Sequence, residues 1–220
     1  MADDLLAEAR HRMVDSQLRP NRVVDPRILG VMRRLPRERF LPLDLASLAY
    51  ADQDVPCGNG RVLMQPMAIA RLVQLAAPTQ GERALVVAAG VGYGAAVLAA
   101  CGPRVTALEE DPALLAVAGR VLAAVAPNVS VVSGPLSAGW PSEAPYDLIL
   151  LEGAVRAIPP VLAQQLRADT GRLVAVICHQ GGVSQAVLAE VTTAGLRAQP
   201  MFDCAIPELP SLRPAPAFVF

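Results

Sequence analysis

The sequence predicts an α/β fold: a mostly parallel central sheet, closed by antiparallel strands at its C-terminal end and preceded by a helical N-terminal segment. Three observations predict it. Short continuous apolar runs alternate with helix-like segments from residue 84 onward, as parallel strands covered on both faces require. A glycine-rich turn, Gly90 to Gly94, follows the first of those runs. The last 40 residues lose the helical period and alternate loosely instead.

The elements follow in order. Residues 3–18 read as an amphipathic helix with Leu6, Ala9, Met13 and Leu18 near one face. Asp25-Pro26 sets a cap with proline at the first helical position, and the next helix carries Ile28, Met32 and Leu35 on one stripe until Pro36. Arg33, Arg34, Arg37 and Arg39 crowd its exit, as a solvated face or a contact for an acidic partner. Residues 41–66 are loop-rich, punctuated by Pro56, Gly58, Gly60 and Pro66, with a helix from Met67 to Ala76. Strands are expected at Ala84–Ala88, Val105–Leu108, Val129–Val132, Tyr146–Leu151 and Arg172–Cys178. Helices are expected from the Gly90–Gly94 turn to Cys101, after the Asp111-Pro112 cap, and over Pro159–Leu166. Gln185–Thr193 and Ala217–Phe220 are expected to close the sheet edge. The chain reads as a single domain over 1–220, with an N-terminal helical, substrate-side segment (1–78) and an α/β core (79–220).

Composition narrows the chemistry. Apolar residues make up 53% of the 220 and charged residues 18%, which suits a buried core rather than a disordered chain. All 19 basic residues are arginine, so Schiff-base and lysine-nucleophile chemistry are excluded. A formal net charge of −1 provides no global field toward nucleic acid or anionic lipid. The four cysteines, 57, 101, 178 and 204, form no C-x-x-C pair, and His11 and His179 lie far apart, so no metal site is expected. The uncharged run of 20 residues between Arg83 and Arg104 could span a membrane by length. Its three glycines at 90, 92 and 94 make it a strand, turn and helix instead. The N-terminus carries acids and no apolar h-region, so the cytoplasm is the expected compartment.

The residues with chemistry gather at expected strand ends, where open α/β sheets bind ligands. Ala88, Gly90, Val91, Gly92 and Tyr93 form the first such end, and glycine lets the backbone approach a ligand closely. Glu109 ends the second strand, 19 residues after Gly90, where an acid can accept both hydroxyls of an adenosine ribose. Glu110 follows it, and Glu152 is expected where a later strand emerges. Gly90-x-Gly92-x-x-Ala95 fits a dinucleotide fingerprint and a looser S-adenosylmethionine loop equally. Asp147 could face a loop or pair with an arginine, Trp140 reads as a packing residue, and His179 as a loop residue.

The flanking chain favours one of these. Residues 13–42, MVDSQLRPNRVVDPRILGVMRRLPRERFLP, resemble the N-terminal segment of protein-L-isoaspartate O-methyltransferases. AYADQDVPCGNGRVLMQP, residues 49–66, is similar to that family's A-Y-x-D, L-P-I-G-x-G-Q-T-I-S-Q-P pattern. VGYGAAVLA, VTALEED, PYDLILLEGAV and QLRADTGRLVAV resemble its cofactor loop and later strands. The resemblance implies a Rossmann-like, S-adenosyl-L-methionine-dependent methyltransferase fold. It implies methyl transfer to the α-carboxylate of isoaspartyl residues in damaged proteins, by a monomer with no nucleic-acid or membrane partner. A carboxylate is ionised at pH 7, so alignment rather than a general base is the expected task, and no catalytic residue stands out. The resemblance places substrate contacts at Met64, Gln65 and Pro66 and cofactor contacts at the strand-end residues above, with Pro135 and Leu136.

This chain departs from the pattern at polar positions. The family's serine falls on Met64, its acid in L-E-I-G on Val86 with the following glycine on Ala88, and its G-D-G on Gly134-Pro135-Leu136. These changes also admit a divergent relative with another methyl acceptor, or a non-catalytic scaffold.

Overall fold

The computed structural model describes residues 2–179, 181–193 and 195–213. The expected closing run Ala217–Phe220 lies outside them. The first helix, α1 (Ala2–Met13), passes into one π-helical turn, Val14–Leu18, rather than staying α-helical to residue 18. Helix α2 (Pro26–Arg34) starts as the sequence requires: the Asp25 carboxylate accepts from Arg27 N at 2.8 Å, and Pro26 stands where no amide partner is needed.

The loop-rich stretch holds an element that the sequence reading lacked. Strands β1 (Val55–Gly58) and β2 (Arg61–Leu63) form an antiparallel hairpin. Asn59 (φ 50°) and Gly60 (φ 72°) make its turn, the Asn-Gly pairing that tight hairpins favour. Helix α3 (Pro66–Ala76) follows and ends on Ala77 in the left-handed region at φ 44°.

The remaining elements alternate. They are β3 (Arg83–Val87), α4 (Tyr93–Ala100), β4 (Arg104–Glu109), α5 (Pro112–Val125), β5 (Val129–Ser133), β6 (Leu148–Val155), α6 (Pro160–Gln164), β7 (Arg172–Ile177), β8 (Gln185–Thr192) and β9 (Gly195–Asp203). One seven-stranded sheet runs β5-β4-β3-β6-β7-β8-β9, parallel as far as β7 and antiparallel beyond it. Strand β6 starts two residues later than expected and runs four further. Tyr146 makes only an isolated bridge to Leu166, and Glu152 lies inside the strand rather than at its exit.

Both faces of the sheet are buried, which explains the unbroken apolar runs. Ala84, Val86, Leu148, Leu150, Val174 and Val176 face one core, together with the N-terminal helices, α3, α4 and α5. Leu85, Val87, Ile149, Leu151, Leu173 and Ala175 face the other, with Trp140 packed against it. The N-terminal segment therefore shares a hydrophobic cluster with the sheet. The order reverses between β3 and β6, so the crevice for a ligand opens at their carboxyl ends.

Exposed Ala77 carries the cost of a left-handed Cβ at a helix end, where glycine is the usual occupant. Ala77→Gly is expected to stabilise the fold by about 0.5–1 kcal/mol in equilibrium urea unfolding, the left-handed strain less glycine's entropy cost. A loss of stability would show that the helix ends differently.

Candidate active site

At the switch point the chain leaves β3 through Ala88 (φ 62°), Gly90 (φ 56°) and Gly92 (φ 92°). A Cβ at Gly92 would come within 2.7 Å of Leu122, so this turn needs glycine for space as well as for backbone angle. Ala88, on the family's glycine position, holds a left-handed conformation at a cost of about 1–2 kcal/mol. Val91 is buried beneath the turn.

Glu109 at the end of β4 organises this turn, with its side chain 1% exposed. Its Oε2 accepts from Gly90 N at 2.7 Å, and its Oε1 accepts from Glu110 N at 2.9 Å and Asp111 N at 3.1 Å. A buried carboxylate requires such donors, and these three backbone amides, from two separate loops, supply only part of what it can accept. Glu110 reaches sideways, where its Oε2 accepts from Leu136 N at 3.3 Å. The Leu136 side chain is wholly buried and Pro135 is exposed, so both stand beside the crevice through backbone rather than polar side chains.

The remaining donor to Glu109 is Arg61, from β2 of the hairpin. Its Nη1 lies 3.2 Å from Oε1 of Glu109, and its Nη2 donates to the Ala88 carbonyl at 2.7 Å. Sequence reading passed over Arg61, although the family pattern carries glutamine at that position. A narrow crevice lined by Arg61, Val62, Met64, Glu152, Pro207 and Leu209 brings Arg61 and Glu152 together with Met64, one of the positions expected for substrate contact. A roomier surface groove lies elsewhere, between α1, α5 and residues 36–46, and contains none of the expected site residues.

Two charged side chains hold Met64–Pro66. Arg37 is wholly buried, not on a solvated face as its neighbours suggested. It donates to the Ala49 carbonyl at 2.7 Å and to the Met64 carbonyl, with its guanidinium 4.6 Å from the Tyr93 ring centroid. Asp54 accepts from Gln65 N at 2.7 Å, just before Pro66 opens α3. Tyr93 was expected at the cofactor, but its ring packs inward against Phe40 and Arg37, leaving only its backbone at the turn. Met64 is buried, and its thioether replaces a hydroxyl donor.

Glu152 stands out by its lack of partners. Its Oε1 is enclosed without a hydrogen bond among the described residues. A Cβ on Gly94 would overlap that oxygen, so glycine at 94 is what admits the carboxyl group. Burial pushes its pKa up to about 8. Asp147 pairs with Arg167, Trp140 is half-buried, and His11 and His179 are exposed, away from the crevice. No group of three or more potential metal ligands occurs among the described residues, and no helix there is long and apolar enough to cross a membrane.

An open doubly wound sheet with a glycine turn facing a strand-end carboxylate defines a Rossmann-like protein of the nucleoside-binding class. The model of the family "Protein-L-isoaspartate(D-aspartate) O-methyltransferase" matches residues 8–195. A protein-L-isoaspartate O-methyltransferase from Methylorubrum extorquens (strain PA1) is 44% identical over 176 residues, 80% of this chain and 77% of that one. An enzyme of the same name from Anaeromyxobacter sp. (strain Fw109-5) is 39% identical over 189 residues, 86% of this chain and 77% of that one. Among solved structures, a protein-L-isoaspartate O-methyltransferase shares the fold at a TM-score of 0.80 and 24% identity, over 93% of this chain and 67% of that one. Another, from Plasmodium falciparum in complex with S-adenosyl-L-homocysteine, does so at 0.75 and 16%, over 92% and 98%. The chain belongs to the protein-L-isoaspartate(D-aspartate) O-methyltransferase family.

The raised pKa of Glu152 has a measurable consequence. A carboxyl group that titrates near 8 when folded and near 4.5 when unfolded binds more protons in the folded state between those values. Its contribution to stability is intact below about pH 4.5 and is lost as pH rises through about 8. Thermal unfolding of the ligand-free protein between pH 5 and 9 should therefore show a steeper decline for wild type than for Glu152→Gln. Parallel profiles would place the carboxylate in solvent.

Proposed function

We propose that this chain is an S-adenosylmethionine-dependent carboxyl O-methyltransferase that modifies the free α-carboxylate of isoaspartyl residues in peptides and damaged proteins. One observation carries the reading. The crevice that joins Arg61 and Glu152 on the nucleoside side also contains Met64, in the segment where the family resemblance outside the cofactor core is most specific. We read residues 1–78 as the substrate side and 79–220 as the cofactor side of a single domain, acting as a cytoplasmic monomer without nucleic-acid or membrane partners.

The residues present fit the methyl donor. The turn at Gly90–Gly92 leaves backbone open to close approach, Glu109 offers a ribose-binding carboxylate, and Glu152 is a half-buried acid with one enclosed, unpartnered oxygen, suited to a cationic ligand. When bound, S-adenosylmethionine supplies an electrophilic methyl group on a sulfonium. Glu110 and the backbone of Pro135–Leu136 border the place for the base. Arg61 leaves Glu109 when a ribose takes that carboxylate, which frees a cation in the same crevice as the incoming substrate carboxylate. With the donor bound, a substrate carboxylate oxygen aligned on its methyl carbon would take the methyl group as the carbon–sulfur bond broke, leaving a neutral thioether. No proton moves, which agrees with a site that has neither histidine nor lysine. Arg37 and Asp54 fix the Met64–Pro66 backbone against which the acceptor lies, and such fixed alignment is worth about 7–11 kcal/mol in favourable cases.

The buried Met64 and the apolar Val62 and Leu209 beside it favour a second reading, transfer to a different acceptor. Labelled S-adenosylmethionine offered with an isoaspartyl peptide and its aspartyl twin separates the two. The first reading predicts label on the isoaspartyl peptide alone. S-adenosylmethionine binding without label on either peptide would favour the second. Glu109→Gln should weaken binding of S-adenosylhomocysteine by about 1.5–3 kcal/mol in calorimetry, the scale of a charged hydrogen bond. Arg61→Gln should tighten it, since the buried Arg61–Glu109 pair no longer has to part. Weaker binding by the Arg61 variant would show that this side chain holds the ligand rather than yields to it.

A further inference from the structure

We propose that Glu152 receives the ammonium group of the methyl donor's amino-acid end, so that β6 supplies an acid which β3 lacks. The proposal rests on the S-adenosylmethionine reading and names the residue that would hold the part of the ligand beyond the ribose.

The sheet register carries the argument. Strands β3 and β6 are parallel neighbours, with Val86 opposite Leu150 and Val87 opposite Leu151. The next pair in that register would be Ala88 and Glu152, but β3 turns away there into the glycine loop while β6 continues to Val155. Glu152 thus lies at the switch point, on the side of the sheet that Leu148 and Leu150 share with α3 and α4. Position 86, where the family pattern has an acid, is a wholly buried valine.

The surroundings of Glu152 define what it would accept. Gly94 on α4 and Ile69 on α3 close over its carboxyl group, and Arg61, Met64 and Leu209 line the crevice beside it. The charges that it senses are those of Arg61, Glu109 and Arg37. Arg61 donates to Glu109 and Ala88, and Arg37 to the carbonyls of Ala49 and Met64; Nη1 of Arg37 has no partner, but neither guanidinium donates to Glu152. The other acids nearby have donors: Glu109 and Glu110 from backbone amides, Asp54 from Gln65 N, and Asp111 from the start of α5. Of these acids, Glu152 alone has an enclosed oxygen with no hydrogen-bond partner among the described residues. A buried acid without a partner is held uncharged by its surroundings until a cation arrives. The methyl donor carries two cationic groups, an ammonium and a sulfonium, beyond its nucleoside.

The test compares S-adenosylmethionine with 5′-methylthioadenosine, which keeps the nucleoside and lacks both cations. In calorimetry Glu152→Gln should lose at least tenfold in affinity for S-adenosylmethionine and change less than twofold for methylthioadenosine. The wild-type protein offers a second readout that does not depend on the variant folding. At pH 7, binding of S-adenosylmethionine should release most of one proton, measured in two buffers of different ionisation enthalpy, and methylthioadenosine should release none. Equal weakening of both ligands, no weakening of either, or no proton release with S-adenosylmethionine would overturn the proposal. A wild-type protein that binds neither ligand would overturn the functional reading itself, and this inference with it.

Discussion

The carboxylate of Glu109 is the constraint on which the rest of the site depends. It is a buried negative charge at a strand end, and the low polarity around it demands donors. Backbone amides of Gly90, Glu110 and Asp111 meet that demand, which pins the turn after β3 to the end of β4. The amide of Gly90 can approach because the turn there is glycine-rich and left-handed. One charge thereby sets the shape of the crevice and draws the hairpin to it through Arg61.

Around that fixed point, polar groups are distributed differently from the family pattern. Hydroxyl and acid are absent at 64 and 86, whereas an arginine stands at 61 in place of the pattern's glutamine. It borders the same crevice as Glu152. Arg37 and Asp54 hold main-chain atoms of residues 64 and 65 rather than their side chains, so the backbone there does not depend on which side chain stands at 64.

Much of the fold was legible because its signals are local. The Asp25-Pro26 and Asp111-Pro112 caps each act within three residues, and strands buried on both faces show as plain apolar runs. The place of Glu109 at a strand end near the glycine turn was legible as spacing; its hydrogen bond to the Gly90 amide was not. What stayed hidden depends on distant partners. Arg37 sits in a run of arginines that reads as solvated, and only carbonyls at 49 and 64 with the ring of Tyr93 make its burial tolerable. Strands β1 and β2 are too short for a period to show, although Asn59-Gly60 carried the hairpin signal. Glu152 looked like a strand exit because nothing in the sequence shows that β6 outruns β3.

Hydrogen exchange with and without saturating S-adenosylhomocysteine tests the central claim most directly. If the crevice around Glu109 receives the nucleoside, amides in three separate stretches should change together: 58–63 in the hairpin, 88–94 in the turn, and 109–113 at the start of α5. Residues 185–203, at the far edge of the sheet, should stay as they were. Binding confirmed by calorimetry, with those three stretches unchanged, would contradict the account.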